Sequence, residues 1–247
     1  MRVIIHSTKR FRKKTLNNKI NKSKLNGKIN VIVTGATGMV GEGVLHECLL
    51  HTQVDNIVVI GRRPCGVSHP NLKEIILKDI SDLSQIENQF EGYNACFFCS
   101  GVSSVGKKEE EYYRITYNLT LNFAETLSKI NPDMTFCYVS GSGTDSSEKG
   151  KLMWARVKGK TENDLMKLAF KKVYNFRPAF MHPTKGLKNT LMFYKYISWM
   201  YPFLHLVLPG YFSTLSQIGK AMINSVIYGF EKNILEVRDI NLLSEMS

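Results

Sequence analysis

The sequence predicts an α/β protein with a doubly wound parallel sheet of the Rossmann type. Three observations support this fold class. Short β-branched runs alternate with helical patterns over residues 29–176, a glycine-rich turn follows the first run, and no internal repeat interrupts the alternation. Strands that alternate with helices are joined by right-handed crossovers, which make the strands parallel and cover both faces of the sheet.

Each strand is predicted where apolar, mainly β-branched or aromatic residues form a short run, and each helix where apolar residues recur every three or four positions. Pro178 follows the sixth run and ends it, because proline cannot donate to a strand ladder. The predicted strands are 29–34, 56–61, 72–77, 95–100, 135–140 and 173–176, and the predicted helices are 39–51, 112–129, 152–170 and 216–228.

The last third of the chain has a different composition. Residues 191–212 read LMFYKYISWMYPFLHLVLPGYF, an aromatic-rich stretch interrupted by Pro202 and by Pro209-Gly210. Such interruptions predict short helices and loops. We expect a single domain over 29–247, in which 187–228 forms a cap on the substrate side. The longest apolar run is twelve residues, too short to span a bilayer, so no transmembrane segment is predicted.

The positive charge is concentrated at the start of the chain. The net charge is +12, but residues 1–28 hold ten Lys and Arg and no acidic residue, which leaves +2 for the rest. A nearly neutral body does not favour a nucleic-acid partner. The basic segment lacks the apolar run of a secretory signal. A disordered tail, an organellar transit peptide and a spurious upstream start all remain open.

Cysteine usage indicates a reducing compartment. The five cysteines are an odd number, and Cys96 and Cys99, although spaced as in a redox motif, fall in a predicted buried strand. We interpret them as inert core thiols. A cytoplasmic location follows, with an organelle matrix as the alternative if the basic segment is a transit peptide. No metal site is predicted.

A phosphate-binding turn is predicted directly after the first strand. The stretch VTGATGMVGEG places Gly35, Gly38 and Gly41 at three-residue spacing before an amphipathic helix. Glycines suit a tight turn, a close approach of backbone to pyrophosphate, and close packing of helix on strand. The helix N-terminus adds free N–H groups and a positive dipole end. The pattern predicts a dinucleotide cofactor.

The end of the second strand favours NADP(H) over NAD(H). The stretch VVIGRR places Arg62 and Arg63 where an NAD-binding protein usually carries an acidic residue for the ribose hydroxyls. Guanidinium groups pair bidentately with phosphate, so two arginines suit a 2′-phosphate. The alternative is that one or both are solvated surface charges. Asp79, after the third strand, is predicted near the adenine, although an exposed turn explains it equally well.

Six stretches, in this order and spacing, resemble the atypical short-chain dehydrogenases, in the branch of the Tat-interacting oxidoreductase and its bacterial epimerase-like relatives. They are TGATGMVG, GRRP, FFCSGVSS, YVSGSGTD, WARVKGKTE and FRPAF. The resemblance covers about residues 29–230. It implies an oxidoreductase with a nicotinamide cofactor. The expected cofactor contacts are Gly35, Thr37, Gly38, Met39, Val40, Gly41, Arg62, Arg63, Asp79, Ile80, Ser100, Gly101, Lys158 and Arg177.

The resemblance also implies a catalytic set, from which this chain departs. In the family, a serine after the fifth strand acts with a Tyr-x-x-x-Lys pair, in which tyrosine exchanges the proton and lysine holds the ribose. Ser140 and Ser142 occupy the serine region and Lys158 matches the lysine, but the tyrosine position is Trp154. An Asn or Asp of the preceding helix aligns with Thr116, a second departure.

Trp154 cannot replace the tyrosine chemically. Indole N–H is a hydrogen-bond donor that does not ionise in the working range, so it cannot act as the general acid. It can supply a flat apolar wall and one hydrogen bond. A proton could instead come from ordered water or from a side chain elsewhere, for which the candidates are Tyr112, Tyr113, Tyr138 and His182.

Three functions are compatible with these residues. The first is an NADP(H)-dependent oxidoreductase that acts on an unknown small carbonyl or alcohol with an altered proton donor. The second is a catalytically weak NADP(H)-binding regulatory or scaffold protein with a protein partner. The third is an epimerase-like isomerase with a tightly held cofactor.

Overall fold

The computed structural model describes residues 25–184, 186–189 and 211–246. Strands and helices follow the predicted alternation through residue 177. The strands are β1 (Ile29–Thr34), β2 (Val54–Gly61), β3 (Leu72–Ile76), β4 (Ala95–Phe98), β5 (Thr135–Val139), β6 (Lys172–Arg177), β7 (Phe180–His182), β8 (Phe212–Thr214) and β9 (Ile234–Glu236). The helices are α1 (Met39–Leu50), α2 (Glu109–Tyr113), α3 (Leu119–Ile130), α4 (Met153–Leu165), α5 (Leu215–Tyr228) and α6 (Val237–Ser244).

The main sheet of the described residues is parallel throughout and has the order β3-β2-β1-β4-β5-β6-β9. This order confirms the predicted doubly wound Rossmann-like fold. The direction of winding reverses between β1 and β4. Ligands of open α/β sheets bind at such a point, outside the carboxyl ends of the strands.

The core consists of two layers, one on each face of the sheet. Successive side chains of a strand point to opposite faces, so Val31 and Val33 of β1 enter one cluster and Ile32 enters the other. Helices α1, α5 and α6 contribute to the first cluster, and α3 with the end of α4 to the second. Strands buried on both faces read as nearly continuous apolar runs, which is why their positions are evident in the sequence.

Several elements differ from the predicted ones. The predicted second helix is α2 and α3 joined by a π-helical turn, Arg114–Asn118. Helix α4 ends at Leu165, and the following turn brings Phe170 onto Phe136, with ring centroids 5.0 Å apart. Strands β7, β8 and β9 were not predicted, because three residues are too few for a strand pattern to be recognised, and helix α6 was not predicted either.

The predicted tail and cap lie partly outside the described residues. At the end of the tail, Leu25 packs against the core and its amide donates to the Ile227 carbonyl at 2.7 Å. Of the predicted cap, α5 belongs to the layer of α1, whereas residues 190–210 lie outside the described part. Just before them, Glu42 of α1 accepts the backbone N–H groups of Lys188 and Asn189 at 2.8 and 2.7 Å.

In the described ranges, no helix combines the length and the apolar composition that crossing a membrane requires.

Candidate functional site

A cavity of about 540 Å³ lies at the carboxyl ends of β1 to β4. Its walls come from four connecting segments, residues 35–38 after β1, 61–63 at the end of β2, 78–80 after β3 and 99–102 after β4. The volume is in the range of small-molecule and cofactor sites, 300–1,000 Å³. The cavity therefore occupies the position where the fold places a nucleotide.

The turn after β1 is packed tightly against the segment after β4. Gly35 has a φ of +72°, and a Cβ atom there would lie 2.6 Å from the Cys99 carbonyl oxygen. The Thr34 hydroxyl accepts the Ser100 N–H at 3.1 Å, which fixes the same two segments to each other. Helix α1 begins just after this turn, and the N–H groups of its first turn lack intrahelical partners.

Gly41 lets α1 approach the turn closely. A Cβ atom at this position would lie 2.1 Å from the Gly35 carbonyl oxygen. Backbone of the turn must therefore move if any side chain is introduced. The predicted role of this glycine in helix packing has a direct geometric reason here.

Replacing Gly41 by Ala is expected to lower the free energy of unfolding by about 1–3 kcal/mol, the usual cost of overpacking. Urea denaturation measures the loss. Gly101→Ala is the control, since a Cβ there meets no atom within 4 Å, and a change within about 0.5 kcal/mol is expected. Equal losses in the two variants would contradict the packing role.

The nucleotide side of the cavity carries several cations. Arg62, Arg63 and Lys78 all line it, from the ends of two adjacent strands. Asp79 lies beside Lys78 and accepts the side-chain O–H and backbone N–H of Ser81 at 2.7 and 2.9 Å, which lowers its pKa. The wall therefore combines positive charge with one carboxylate that is bonded to its own loop.

Most of the predicted cofactor contacts meet in this cavity. Lys78 and Lys107 also line it, although sequence reasoning did not single them out. Met39, Val40 and Gly41 form the first turn of α1 and are not among the lining residues. The predicted contacts that line the cavity are Gly35, Thr37, Gly38, Arg62, Arg63, Asp79, Ile80, Ser100 and Gly101.

The predicted catalytic residues form a second group near the carboxyl end of β5. Trp154 lies in the first turn of α4, and a Cβ on Gly143 would be 3.4 Å from its ring, so the indole rests on the turn after β5. The Lys158 ammonium donates to the Ser140 carbonyl oxygen. Burial lowers the pKa of Lys158 to about 8, and the Glu162 carboxylate opposes this shift. The ammonium therefore remains mostly protonated at neutral pH.

A buried ion pair lies directly behind this group. The fully buried Glu162 accepts the Ser140 hydroxyl at 2.5 Å, and it accepts the Arg177 Nε–H and Nη2–H at 3.0 and 2.5 Å. Arg177 also donates to Ser146 at 2.6 Å. The structure thus places Arg177, predicted as a cofactor contact, in an ion-pair network behind β5 and β6, and it directs the Ser140 hydroxyl to the same carboxylate. Ser142 is exposed on the next turn.

The other predicted proton donors differ in burial and in their contacts. Tyr112 and Tyr138 are almost fully buried, and desolvation raises the pKa of each phenol. Tyr113 stacks on Tyr117 with ring centroids 4.5 Å apart. His182 lies on β7, and Thr116 is buried in the π-helical turn. A raised phenol pKa keeps Tyr112 and Tyr138 protonated and makes the anion that would follow proton donation costly.

Comparison with known proteins agrees with this geometry. Residues 31–151 match the model of the NAD dependent epimerase/dehydratase family. Protein HTATIP2 of Rattus norvegicus is 26% identical over 155 residues, 62% of each chain, so the alignment covers about three fifths of that protein. Protein FMP52, mitochondrial, of Candida glabrata is 26% identical over 212 residues, 83% of this chain and 88% of the relative.

Solved structures share the fold. The dTDP-glucose 4,6-dehydratase DesIV of Streptomyces venezuelae, solved with NAD and TYD bound, has a TM-score of 0.64 at 13% identity, over 85% of this chain and 75% of that one. A UDP-N-acetylglucosamine 4-epimerase of Methanobrevibacter ruminantium M1 has a TM-score of 0.61 at 17% identity, over 85% and 76%. The glycine turn, the parallel sheet and these similarities confirm the family resemblance over residues 31–151, which match the NAD dependent epimerase/dehydratase family.

Proposed function

We propose that this protein binds NADP(H) in the cavity at β1 to β4 and acts as an oxidoreductase on a small carbonyl or alcohol. One observation carries the proposal. A glycine turn at a helix N-terminus and two arginines from the next strand line the same cavity. The first arrangement suits a pyrophosphate and the second suits a 2′-phosphate.

The residues present fit such a cofactor. The backbone of residues 35–38 would receive the pyrophosphate. Gly35 and Gly38 have no side chain there, and a Cβ atom at either position would lie close to neighbouring backbone. Arg62 and Arg63 would bind the 2′-phosphate, and Asp79 with Ile80 would flank the adenine. Solved relatives with NAD bound support a nicotinamide dinucleotide in general. The choice of NADP(H) depends on the arginines of this chain.

The group near β5 would serve the other end of the cofactor. Bound nicotinamide supplies or accepts a hydride. Lys158 would hold the adjacent ribose through its ammonium, and Trp154 would form an apolar wall with one N–H donor. Because indole does not release a proton, we propose that solvent water supplies the proton in this chain.

A second function is favoured by Trp154 itself. Without the tyrosine that donates the proton in the family, the chain suits a protein that binds NADP(H) tightly with little turnover. Its cofactor-bound form would then bind a protein partner. Steady NADPH consumption with a panel of carbonyl compounds supports the oxidoreductase, whereas tight binding without consumption supports the binding protein. An epimerase-like isomerase would convert its substrate without net NADPH consumption.

Two locations in the cell are proposed, each from a different observation. The cytoplasm follows from the cysteines, and the organelle matrix is supported by the basic segment 1–28 together with relatives that are named mitochondrial.

Replacing both Arg62 and Arg63 by Ala is expected to reduce the preference for NADPH over NADH by at least about tenfold. Each lost hydrogen bond between an arginine and the 2′-phosphate costs roughly 1.5–3 kcal/mol. NADH has no 2′-phosphate, so only the affinity for NADPH should fall. Isothermal titration calorimetry with both cofactors measures the preference.

The matched control is Arg238→Ala, an exposed arginine on α6 that does not line the cavity. This variant should keep the preference of the unmodified protein. Equal affinities for NADPH and NADH in the unmodified protein would refute the assignment of the arginines.

A further inference from the structure

We propose that Lys78 completes, with Arg62 and Arg63, a three-cation site for a phosphate monoester. The inference rests on the proposed function, because the monoester in question is the 2′-phosphate of NADP(H). It adds a specificity-determining residue that sequence reasoning did not identify. Lys78 differs from the arginines in coming from another strand.

The strand register brings the three cations together. Gly61 of β2 pairs with Ile76 of β3, and the Leu77 N–H donates to the Gly61 carbonyl at 2.9 Å, which continues the ladder past the end of β3. Neighbouring strands lie about 4.8 Å apart. Continued past the strand ends, this register sets Arg62 beside Leu77 and Arg63 beside Lys78, and all three cations line the cavity.

The segment that carries the arginines is fixed to the strand that leads to Lys78. The Cys65 N–H donates to the Glu74 carboxylate at 2.7 Å, and Glu74 lies on β3. This bond spans the two segments just below the cavity. The chain just after Arg63 is thus tied to β3.

The charges in this wall lack internal partners. Within the described part of the chain, Arg62, Arg63 and Lys78 show no ion pair or hydrogen bond through their side chains. Some other cations are paired, for example Lys107 with Glu111 and Arg156 with Glu109, both at 2.7 Å. The two nearby carboxylates, Asp79 and Glu74, accept hydrogen bonds from Ser81 and Cys65.

Three like charges at one cavity wall repel one another, and an anion removes that cost. A phosphate monoester carries about −1.5 to −2 charges near pH 7 and has three acceptor oxygens. Guanidinium groups bind two oxygens in a fixed fork, and a flexible ammonium reaches another from a different direction. The chemistry of the wall matches a dianionic monoester better than a ribose hydroxyl.

The experiment compares 2′,5′-ADP with 5′-AMP, two probes that differ in the 2′-phosphate alone. The variants are Lys78→Met and, as matched control, Lys73→Met, which removes an exposed lysine of β3 that donates to Gln89 instead. Calorimetry should show the unmodified protein preferring 2′,5′-ADP. Lys78→Met should weaken 2′,5′-ADP binding about tenfold, on the scale of one charged hydrogen bond, and leave 5′-AMP binding within about twofold.

Each outcome separates the two proposals. If the preference for 2′,5′-ADP is as large in Lys78→Met as in Lys73→Met, the role of Lys78 is overturned and the NADP(H) assignment stands. Equal binding of the two probes by the unmodified protein would overturn both. Equal weakening of both probes would place Lys78 at another phosphate and also overturn the inference. Lys78→Arg should retain the preference, and melting temperatures confirm that the variants fold.

Discussion

Replacing Trp154 by Tyr is expected to raise the rate of NADPH-dependent carbonyl reduction by about 10²–10⁴-fold, the usual contribution of a positioned general acid. The position is in the first turn of α4, one helical turn from Lys158, at the carboxyl edge of the sheet. A phenol there would have the Lys158 ammonium nearby, and a positive charge lowers a phenol pKa. The rate is measured as NADPH oxidation with a panel of small aldehydes and ketones.

Two further variants test the cause of that gain. Trp154→Phe removes the indole without adding an acid, so it should produce no comparable increase. Trp154→Tyr combined with Lys158→Met should lose most of the increase. If Trp154→Tyr is instead slower than the unmodified protein, another group already donates the proton and the indole shapes the pocket.

Replacing Glu162 by Ala is expected to lower the free energy of unfolding by about 3–5 kcal/mol, the cost of breaking a buried ion pair by removing one partner. Arg177 would be left with its guanidinium buried and without the carboxylate that it contacts through two nitrogens. The Ser140 hydroxyl would lose its acceptor as well. Urea denaturation, which gives the free energy from a linear extrapolation, measures the effect.

The control for this prediction is an exposed ion pair. Glu109 contacts Arg156 at 2.7 Å with its side chain about half exposed, so Glu109→Ala should cost less than about 1 kcal/mol. A double variant, Glu162→Met with Arg177→Met, should recover much of the lost stability because it removes both members of the buried pair. A Glu162→Ala loss no larger than that of Glu109→Ala would contradict the role of the buried pair.

The sequence predicted the parts of the fold that depend on local patterns. Buried parallel strands leave long apolar runs, and the turn with Gly35 and Gly41 is recognisable because it lies between an apolar strand and an amphipathic helix. Lys78 could not be predicted because its place depends on the register of β3 beside β2. The same limit applies to Arg177, which the resemblance assigned to the cofactor. Its pairing with Glu162 joins a strand to a helix, and no local pattern records it.

Glu42 joins two regions of the molecule that are far apart in the sequence. Its carboxylate holds the backbone of Lys188 and Asn189, residues 146 and 147 positions away in the chain, to the first turn of the helix that follows the phosphate turn. The backbone at Lys188 and Asn189 is therefore attached to that helix. In thermodynamic terms, any coupling between these two regions is reciprocal. A nucleotide that changed the affinity of a ligand for the backbone of Lys188 and Asn189 would have its own affinity changed by that ligand by the same factor.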